Sequence, residues 1–101
     1  MKKSFSEKIW NAIKKVPEGR VSTYREIAKA AGNPKAFRAA GNACNKNPFA
    51  PEVPCHRIVK SDAGLGGFAH GTKKKKEMLE KEGIRIKNRK IEEFEKKIFR
   101  F

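Results

Sequence analysis

The sequence predicts a small α+β domain, mainly helical, with a helix-turn-helix of the winged-helix type. Three observations lead to this fold class: capping signals open two early helices, a short glycine-containing turn joins two helices, and strand-like alternation follows in the second half. The 101 residues suffice for one hydrophobic core and are too few for two. We find neither a repeat nor a linker, so we expect one domain over residues 1–101.

Two capping boxes predict where the first two helices begin. Ser4 and Glu7 precede a run of apolar residues at helical spacing, which predicts the first helix. Thr23 and Glu26 form the same pattern ahead of the second helix, and Gly32 is typical of a residue that closes one.

The third helix is predicted over about residues 35–44, with Asn33 as its cap and Pro34 at its first position. With the second helix it would form a helix-turn-helix, whose second member enters a groove of DNA. The helix is rich in small residues, namely Ala36, Ala39, Ala40, Gly41 and Ala43. Small residues permit either a close approach to DNA or tight packing between helices, and the pattern fits both equally.

The second half of the chain is predicted to combine short strands with one more helix. Residues 56–60 favour a strand, and residues 63–71 form a glycine-rich loop. Thr72 is expected to cap a helix that ends at Gly83. The tail then alternates as a strand does and becomes amphipathic around Phe94.

The charge balance favours nucleic acid as the partner. There are 25 Lys and Arg residues against 11 Asp and Glu, a formal net charge of +14, which attracts polyanions. A lysine-rich surface of the kind found in thermophiles is the alternative, and an anionic membrane fits less well because no helix pairs a broad apolar face with a basic one. No segment has the length of a membrane span and no signal peptide follows Met1, so we expect a cytoplasmic protein.

Four consecutive lysines, residues 73–76, fall in the predicted first turn of a helix. The helix dipole disfavours positive charge there. A solvated basic surface is the simplest explanation, and proximity to a phosphate is the functional one.

Reactive chemistry centres on Cys55, which His56 and Arg57 follow directly. A thiol attacks as its thiolate, and a neighbouring base or positive charge favours that form. Adjacent residues of a strand point to opposite faces, so a bridging water is the expected proton route from Cys55 to His56. By itself, a Cys-His pair is more often structural, since buried free cysteines are common.

Neither a metal site nor a cofactor is expected. Cys44, Cys55, His56 and His70 could ligate zinc, but they show neither C-x-x-C nor H-x-x-x-H spacing. The glycines of residues 64–67 also fail as a dinucleotide fingerprint, because the third glycine position holds Ala69 and no βαβ unit follows.

Taken in order, these motifs resemble the active-site domain of the O6-alkylguanine-DNA alkyltransferases, also called methylated-DNA–protein-cysteine methyltransferases. The similarity runs from about Val21 to Gly83, and its most specific part is Pro54-Cys55-His56-Arg57-Ile58-Val59. The other matching segments are Val21-Ser22-Thr23-Tyr24, Ala31-Gly32-Asn33-Pro34, Arg38-Ala39, Asn47-Pro48, the glycine loop, Leu79 and Glu82-Gly83.

The resemblance implies a catalytic role for three residues. Cys55 would accept the alkyl group, His56 would draw the thiol proton through a water, and Glu82 would orient His56. The implied reaction is the irreversible transfer of an alkyl group, chiefly methyl, from O6-alkylguanine in duplex DNA to Cys55. Each molecule would act once, as a monomer and without a cofactor.

The resemblance also implies residues that bind DNA and build the guanine pocket. Arg38 would fill the gap that the flipped base leaves, and Tyr24 would help rotate the phosphate of the lesion. The third helix would approach the minor groove through its small residues Ala36, Ala39 and Gly41. Asn47 would tie the helix-turn-helix to the active-site loop, and the remaining support and pocket residues would be Arg57, Ile58, Phe68 and Ala69.

Two departures from the family pattern leave alternatives open. Phe68 stands where many members have a tyrosine whose hydroxyl helps the leaving guanine. The N-terminal domain of most members, with any structural zinc it holds, is expected to be absent. Short relatives include alkyltransferase-like proteins, which bind the lesion without accepting the alkyl group and usually replace the cysteine. Cys55 therefore favours transfer over a lesion sensor, and a winged-helix transcription factor would leave the Pro-Cys-His-Arg segment unexplained.

Overall fold

The computed structural model describes residues 4–48, 52–68 and 71–101. The predicted class, a mainly helical α+β domain, is confirmed. The elements in chain order are α1 (Phe5–Ile13), β1 (Ser22–Thr23), α2 (Tyr24–Ala30), α3 (Phe37–Asn45), a 3-10 turn (Cys55–Arg57), β2 (Ile58–Val59), α4 (Thr72–Lys81), β3 (Ile86–Lys87), β4 (Lys90–Ile91) and α5 (Phe94–Lys97). None of the helices in the described ranges is long and apolar enough to cross a membrane.

Ser4 and Thr23 are the N-caps of α1 and α2, as the two capping boxes predicted. The Ser4 hydroxyl accepts a hydrogen bond from the backbone N–H of Glu7 at 3.2 Å. The Thr23 hydroxyl accepts one from the backbone N–H of Glu26 at 3.1 Å. Each bond satisfies an amide that the helix itself leaves without a partner. Gly32 follows α2 with a φ of 98°, as expected of a residue that closes a helix.

The predicted caps of α3 and α4 were wrong. The Asn33 side chain accepts a hydrogen bond from the Lys35 amide at 3.2 Å and so closes a local turn, and α3 begins only at Phe37 with Ala36 as its cap. At α4 the cap is Gly71, whose φ of 92° favours glycine, so that Thr72 is already the first helical residue.

Two short strand pairs complete the fold. β1 and β2 pair in parallel, with Ser22 opposite Ile58, and β3 and β4 pair antiparallel. The strand predicted over residues 56–60 is shortened, because the Arg57 amide donates to the Pro54 carbonyl at 3.0 Å and bends the chain into the 3-10 turn. Cys55 and His56 therefore lie in a turn and not in a strand.

The core consists of two clusters of buried residues that meet at the β1–β2 pair. The helical cluster packs α1, α2 and α3 together with Val53, Cys55 and Ile58. The hairpin cluster contains Val21, Val59, Leu65, Leu79, Ile84 and Ile91. Ile58 and Val59 are neighbours in β2 that bury their side chains in different clusters, as the alternation of a strand requires.

Candidate functional site

Cys55 belongs to the helical cluster and lies three residues before the start of β2. It opens the 3-10 turn behind Pro54, it is a free thiol, and only 7% of its surface is exposed. Its backbone N–H donates to the Val53 carbonyl at 2.8 Å. The second free cysteine, Cys44, is buried at the end of α3 in the same helical cluster. Burial raises the pKa of Cys44 to about 12, so this thiol stays protonated at neutral pH.

One carboxylate, that of Glu82, holds both residues that follow Cys55. The Glu82 Oε2 atom lies 2.9 Å from Nε2 of His56. The Arg57 guanidinium donates to both oxygens, from Nε at 2.9 Å and from Nη2 at 2.7 Å. Its Nη1 atom donates to the Val16 carbonyl at 2.9 Å, which fixes the planar fork against the end of α1. The structure thus brings Glu82 to two adjacent residues that lie 26 and 25 positions before it in sequence.

The ionisation of Glu82 decides which nitrogen of His56 carries the proton. Burial alone would raise the pKa of Glu82, but the hydrogen bonds and charges of Arg57 and His56 outweigh it and hold this pKa below its usual range. An ionised carboxylate can only accept hydrogen bonds, so Nε2 of a neutral His56 carries the proton. The Nδ1 atom is then left as the acceptor.

Asn47 connects α3 to the segment that leads into Cys55. Its side-chain Nδ2 atom donates to the Val53 carbonyl at 2.8 Å. The predicted tie between the helix-turn-helix and the active-site loop is therefore consistent with this bond.

The small residues of α3 divide between the two explanations that the sequence left open. Ala40 and Ala43 are buried and pack in the helical cluster, whereas Arg38 and Ala39 are exposed and Ala36 is half-buried. A side chain at Gly41 would lie 3.8 Å from the Tyr24 ring, in ordinary contact. The inward positions thus serve helix packing, and the outward positions leave a low surface on which Arg38 projects.

The glycine loop packs closely against Tyr24. The Tyr24 hydroxyl donates to the Gly67 carbonyl at 3.3 Å, and burial raises the pKa of Tyr24 above its usual value. A Cβ atom at Gly66 would lie 3.1 Å from the Tyr24 hydroxyl oxygen, and the φ of Gly66 is 73°. Phe68 is half-buried against the helical cluster. Ala69, the other predicted pocket residue of this loop, lies outside the described residues.

Lys75 is a buried polar residue of this region that the sequence analysis did not single out. It is fully buried, while Lys73, Lys74 and Lys76 are exposed. Its Nζ atom donates to the Ile58 carbonyl at 2.5 Å and to the Gly67 carbonyl at 3.1 Å. It also lies 5.8 Å from the centre of the Tyr24 ring.

Burial lowers the pKa of Lys75 to about 8, although negative charge on the sulfurs of Cys44 and Cys55 would favour the ammonium. A usable signal exists in the sequence. Lys75, Leu79 and Glu82 recur at i, i+4 and i+7, which places them along one face of α4.

Among the residues that the structure describes, no group of three His, Cys, Asp or Glu side chains is arranged to hold a metal ion. His70, one of the ligands considered above, lies outside the described ranges.

Comparison with known proteins identifies the family. The family model for the DNA-binding domain of 6-O-methylguanine DNA methyltransferase matches residues 4–84. A methylated-DNA–protein-cysteine methyltransferase of Methanosarcina acetivorans is 49% identical over 79 residues, which are 78% of this chain and 51% of that protein. The chain therefore belongs to the O6-methylguanine DNA methyltransferase family. It spans about half the length of the curated relatives it matches first.

Two solved structures show the same fold. The structure of Mycobacterium tuberculosis OGT in complex with DNA has a TM-score of 0.76 and 38% identity, and the match covers 81% of this chain and 51% of that one. Schizosaccharomyces pombe Atl1, in complex with damaged DNA containing O6-carboxymethylguanine, has a TM-score of 0.76 and 33% identity, with 86% of this chain and 83% of that chain covered.

Proposed function

We propose that this chain is a DNA repair alkyltransferase that moves the methyl group of O6-methylguanine to the sulfur of Cys55. The observation that carries the proposal is the set of bonds from Glu82 to His56 and Arg57, because it orients a base on the residue that directly follows a free thiol in the chain. Proposed catalytic residues are Cys55, His56 and Glu82.

The reaction needs one proton transfer and one displacement. His56 accepts the Cys55 thiol proton at Nδ1 through a water, and the Glu82 carboxylate stabilises the imidazolium that forms. The thiolate sulfur then attacks the methyl carbon, an S–C bond forms, and the C–O6 bond breaks with its electron pair leaving on guanine. A water molecule protonates that guanine anion and the imidazolium of His56 returns its proton to solvent, so that the thiol proton of Cys55 is the one that guanine gains in net terms. The resulting thioether at Cys55 is stable, so each molecule reacts once.

The substrate must be extruded from the double helix, because a stacked guanine does not present its O6 substituent to a buried sulfur. We propose that α3 lies at the minor groove, where its exposed Ala39 allows close approach and Arg38 enters the vacated space. Tyr24 and the glycine loop would form one wall of the pocket. The net charge of +14 would supply the nonspecific attraction to DNA.

A lesion-binding protein without transfer is the second candidate. Its support is Phe68, which offers no hydroxyl to the leaving guanine, together with the similarity to Atl1 over most of both chains. Such a protein would bind the damaged duplex reversibly and leave Cys55 unmodified.

The two candidates differ in the mass of the protein after reaction. Incubation with a duplex that carries one O6-methylguanine is expected to add the mass of one methylene to the intact protein. A Cys55→Ser variant should show no gain. If the wild-type mass also stays unchanged while the lesion is bound, alkyl transfer is excluded and lesion binding remains.

Replacing Arg38 with Ala is expected to slow lesion processing about tenfold, because the space left by the extruded base then has no occupant to offset the loss of stacking. Binding to undamaged duplex should weaken much less, since no base is extruded there and Arg38 has no vacated space to fill. The two quantities are a single-turnover transfer rate and a dissociation constant at the same salt concentration. Lys14→Ala, at an exposed lysine directly after α1, is the control. Equal losses in rate and affinity would reduce Arg38 to a phosphate contact.

A further inference from the structure

The β3–β4 hairpin carries a group of positive charges that the reaction at Cys55 does not use. Residues 85–90 hold four Lys or Arg side chains and no carboxylate. The hairpin is bonded to the glycine loop, with the Leu65 amide donating to the Arg89 carbonyl at 3.2 Å and the Ile91 amide to the Ala63 carbonyl at 2.9 Å. Tyr24 contacts the same loop at Gly67, so one loop connects the hairpin to the proposed pocket wall.

A cleft of about 420 Å³ separates the hairpin from the first turn of α4. Its floor is formed by Leu65 and Ile86, and its rim carries Thr72, Lys73, Lys76, Asn88 and Arg89. The three cationic side chains of the rim are exposed, and in the described part of the chain no carboxylate pairs with any of them. The cleft is therefore positive without an internal counter-charge.

Some of these positive residues occupy positions where other residue types are normally preferred. Lys73 and Lys76 stand near the N-terminus of α4, where the dipole favours anions and the first amides have no partner within the helix. At the tip of the hairpin, Asn88 and Arg89 have φ values of 52° and 62°. A two-residue turn of this kind prefers glycine in its second position, and the chain has Arg89 there instead.

We propose that the first turn of α4 and the tip of the β3–β4 hairpin bind a phosphate of the DNA backbone outside the lesion pocket. This inference rests on the proposed function, because it takes DNA as the partner. An anion in the cleft would neutralise Lys73, Lys76 and Arg89 and accept hydrogen bonds from the open amides of the helix. The hairpin would thus lengthen the contact with the duplex beyond α3.

The salt dependence of binding to an undamaged duplex tests this contact. The variant Lys73→Gln/Lys76→Gln/Arg89→Gln is expected to reduce the slope of log K against log salt by about 0.9 and the affinity at about 0.1 M salt roughly eightfold, as the loss of one phosphate contact requires. The control Lys8→Gln/Lys14→Gln/Lys15→Gln removes the same charge from exposed positions on and just after α1, beside the helical cluster. Equal slopes for the two triple variants would overturn the proposal.

The single variant Arg89→Gly separates binding from folding. Glycine adopts the left-handed conformation of this position without strain, so the Tm is expected to rise while DNA affinity falls. A rise in Tm with wild-type affinity would count against the cleft. Adduct formation at Cys55 is measured separately. If an adduct forms but the two triple variants have equal salt slopes, only the proposed phosphate contact is rejected. If the slopes differ but no adduct forms, only the proposed alkyl transfer is rejected.

Discussion

Replacing Glu82 with Gln is expected to slow methyl transfer to Cys55 at least about 100-fold, within the usual range for losing general base catalysis. The Gln amide offers only one acceptor oxygen, whereas the Glu82 carboxylate accepts from His56 and twice from Arg57. The variant therefore loses the counter-charge of the imidazolium and the bond that keeps the proton on Nε2. Affinity for DNA should stay near that of the wild type, because Glu82 lies at the end of α4 and not on α3, the helix proposed to contact the groove.

Glu80→Gln is the matched control for this measurement. Glu80 is exposed near the end of the same helix, and its replacement removes one negative charge as well. Single-turnover rates with a duplex carrying O6-methylguanine should be slow for Glu82→Gln and normal for Glu80→Gln. A normal rate for both variants would remove Glu82 from the mechanism. Slow rates for both would show that the loss of one negative charge, and not the contact with His56, slows the reaction.

Replacing Lys75 with Met is expected to change the pH dependence of stability. The folded-state pKa of Lys75 is lowered to about 8, below the value of about 10.4 that the residue has when unfolded. Between these values the unfolded chain binds a proton that the folded chain does not, so the free energy of unfolding rises with pH in the wild type. The neutral amine keeps two N–H donors for the carbonyls of Ile58 and Gly67.

The expected gain is up to roughly 1.4 kcal/mol per pH unit relative to Lys75→Met, between about pH 8 and pH 10. Urea unfolding of both proteins at several pH values gives this difference, and the titration of all other groups largely cancels in it. Lys76→Met, at the exposed neighbouring position, should track the wild type. A stability difference that stays constant with pH would show that Lys75 titrates normally.

The local signals in the sequence predicted the parts of the fold that short-range bonds determine. The N-caps at Ser4 and Thr23 fix the starts of α1 and α2 by contacts across three residues, and both caps were confirmed. The predicted cap at Asn33 was wrong because an Asn side chain can close a turn as readily as it can cap a helix. The sequence did not predict Gly71 as the cap of α4, because its positive φ is not signalled by the types of the neighbouring residues.

The site was predictable only where its residues belong to a known motif. The resemblance to the alkyltransferases pointed to His56 and Glu82, and the structure places them 2.9 Å apart. The sequence analysis treated Lys75 as one of four basic residues, although only Lys75 among them has the helical spacing to Leu79 and Glu82 that places it on the inner face of α4. Its burial depends on the carbonyls of Ile58 and Gly67, which the fold brings to it from two separate segments.

The hydrogen bonds that link the two clusters have a consequence for how long the protein keeps its activity. Arg57 joins the end of α1 to the end of α4, and Lys75 joins α4 to β2. An opening that parts the clusters would break both links while each cluster kept its own packing, and such excursions need less free energy than global unfolding. Substitutions that stabilise only α1 would then raise the melting temperature without lengthening the time for which the protein remains active. Amide exchange in Arg57 and the last turn of α4 would track that lifetime better than the melting temperature does.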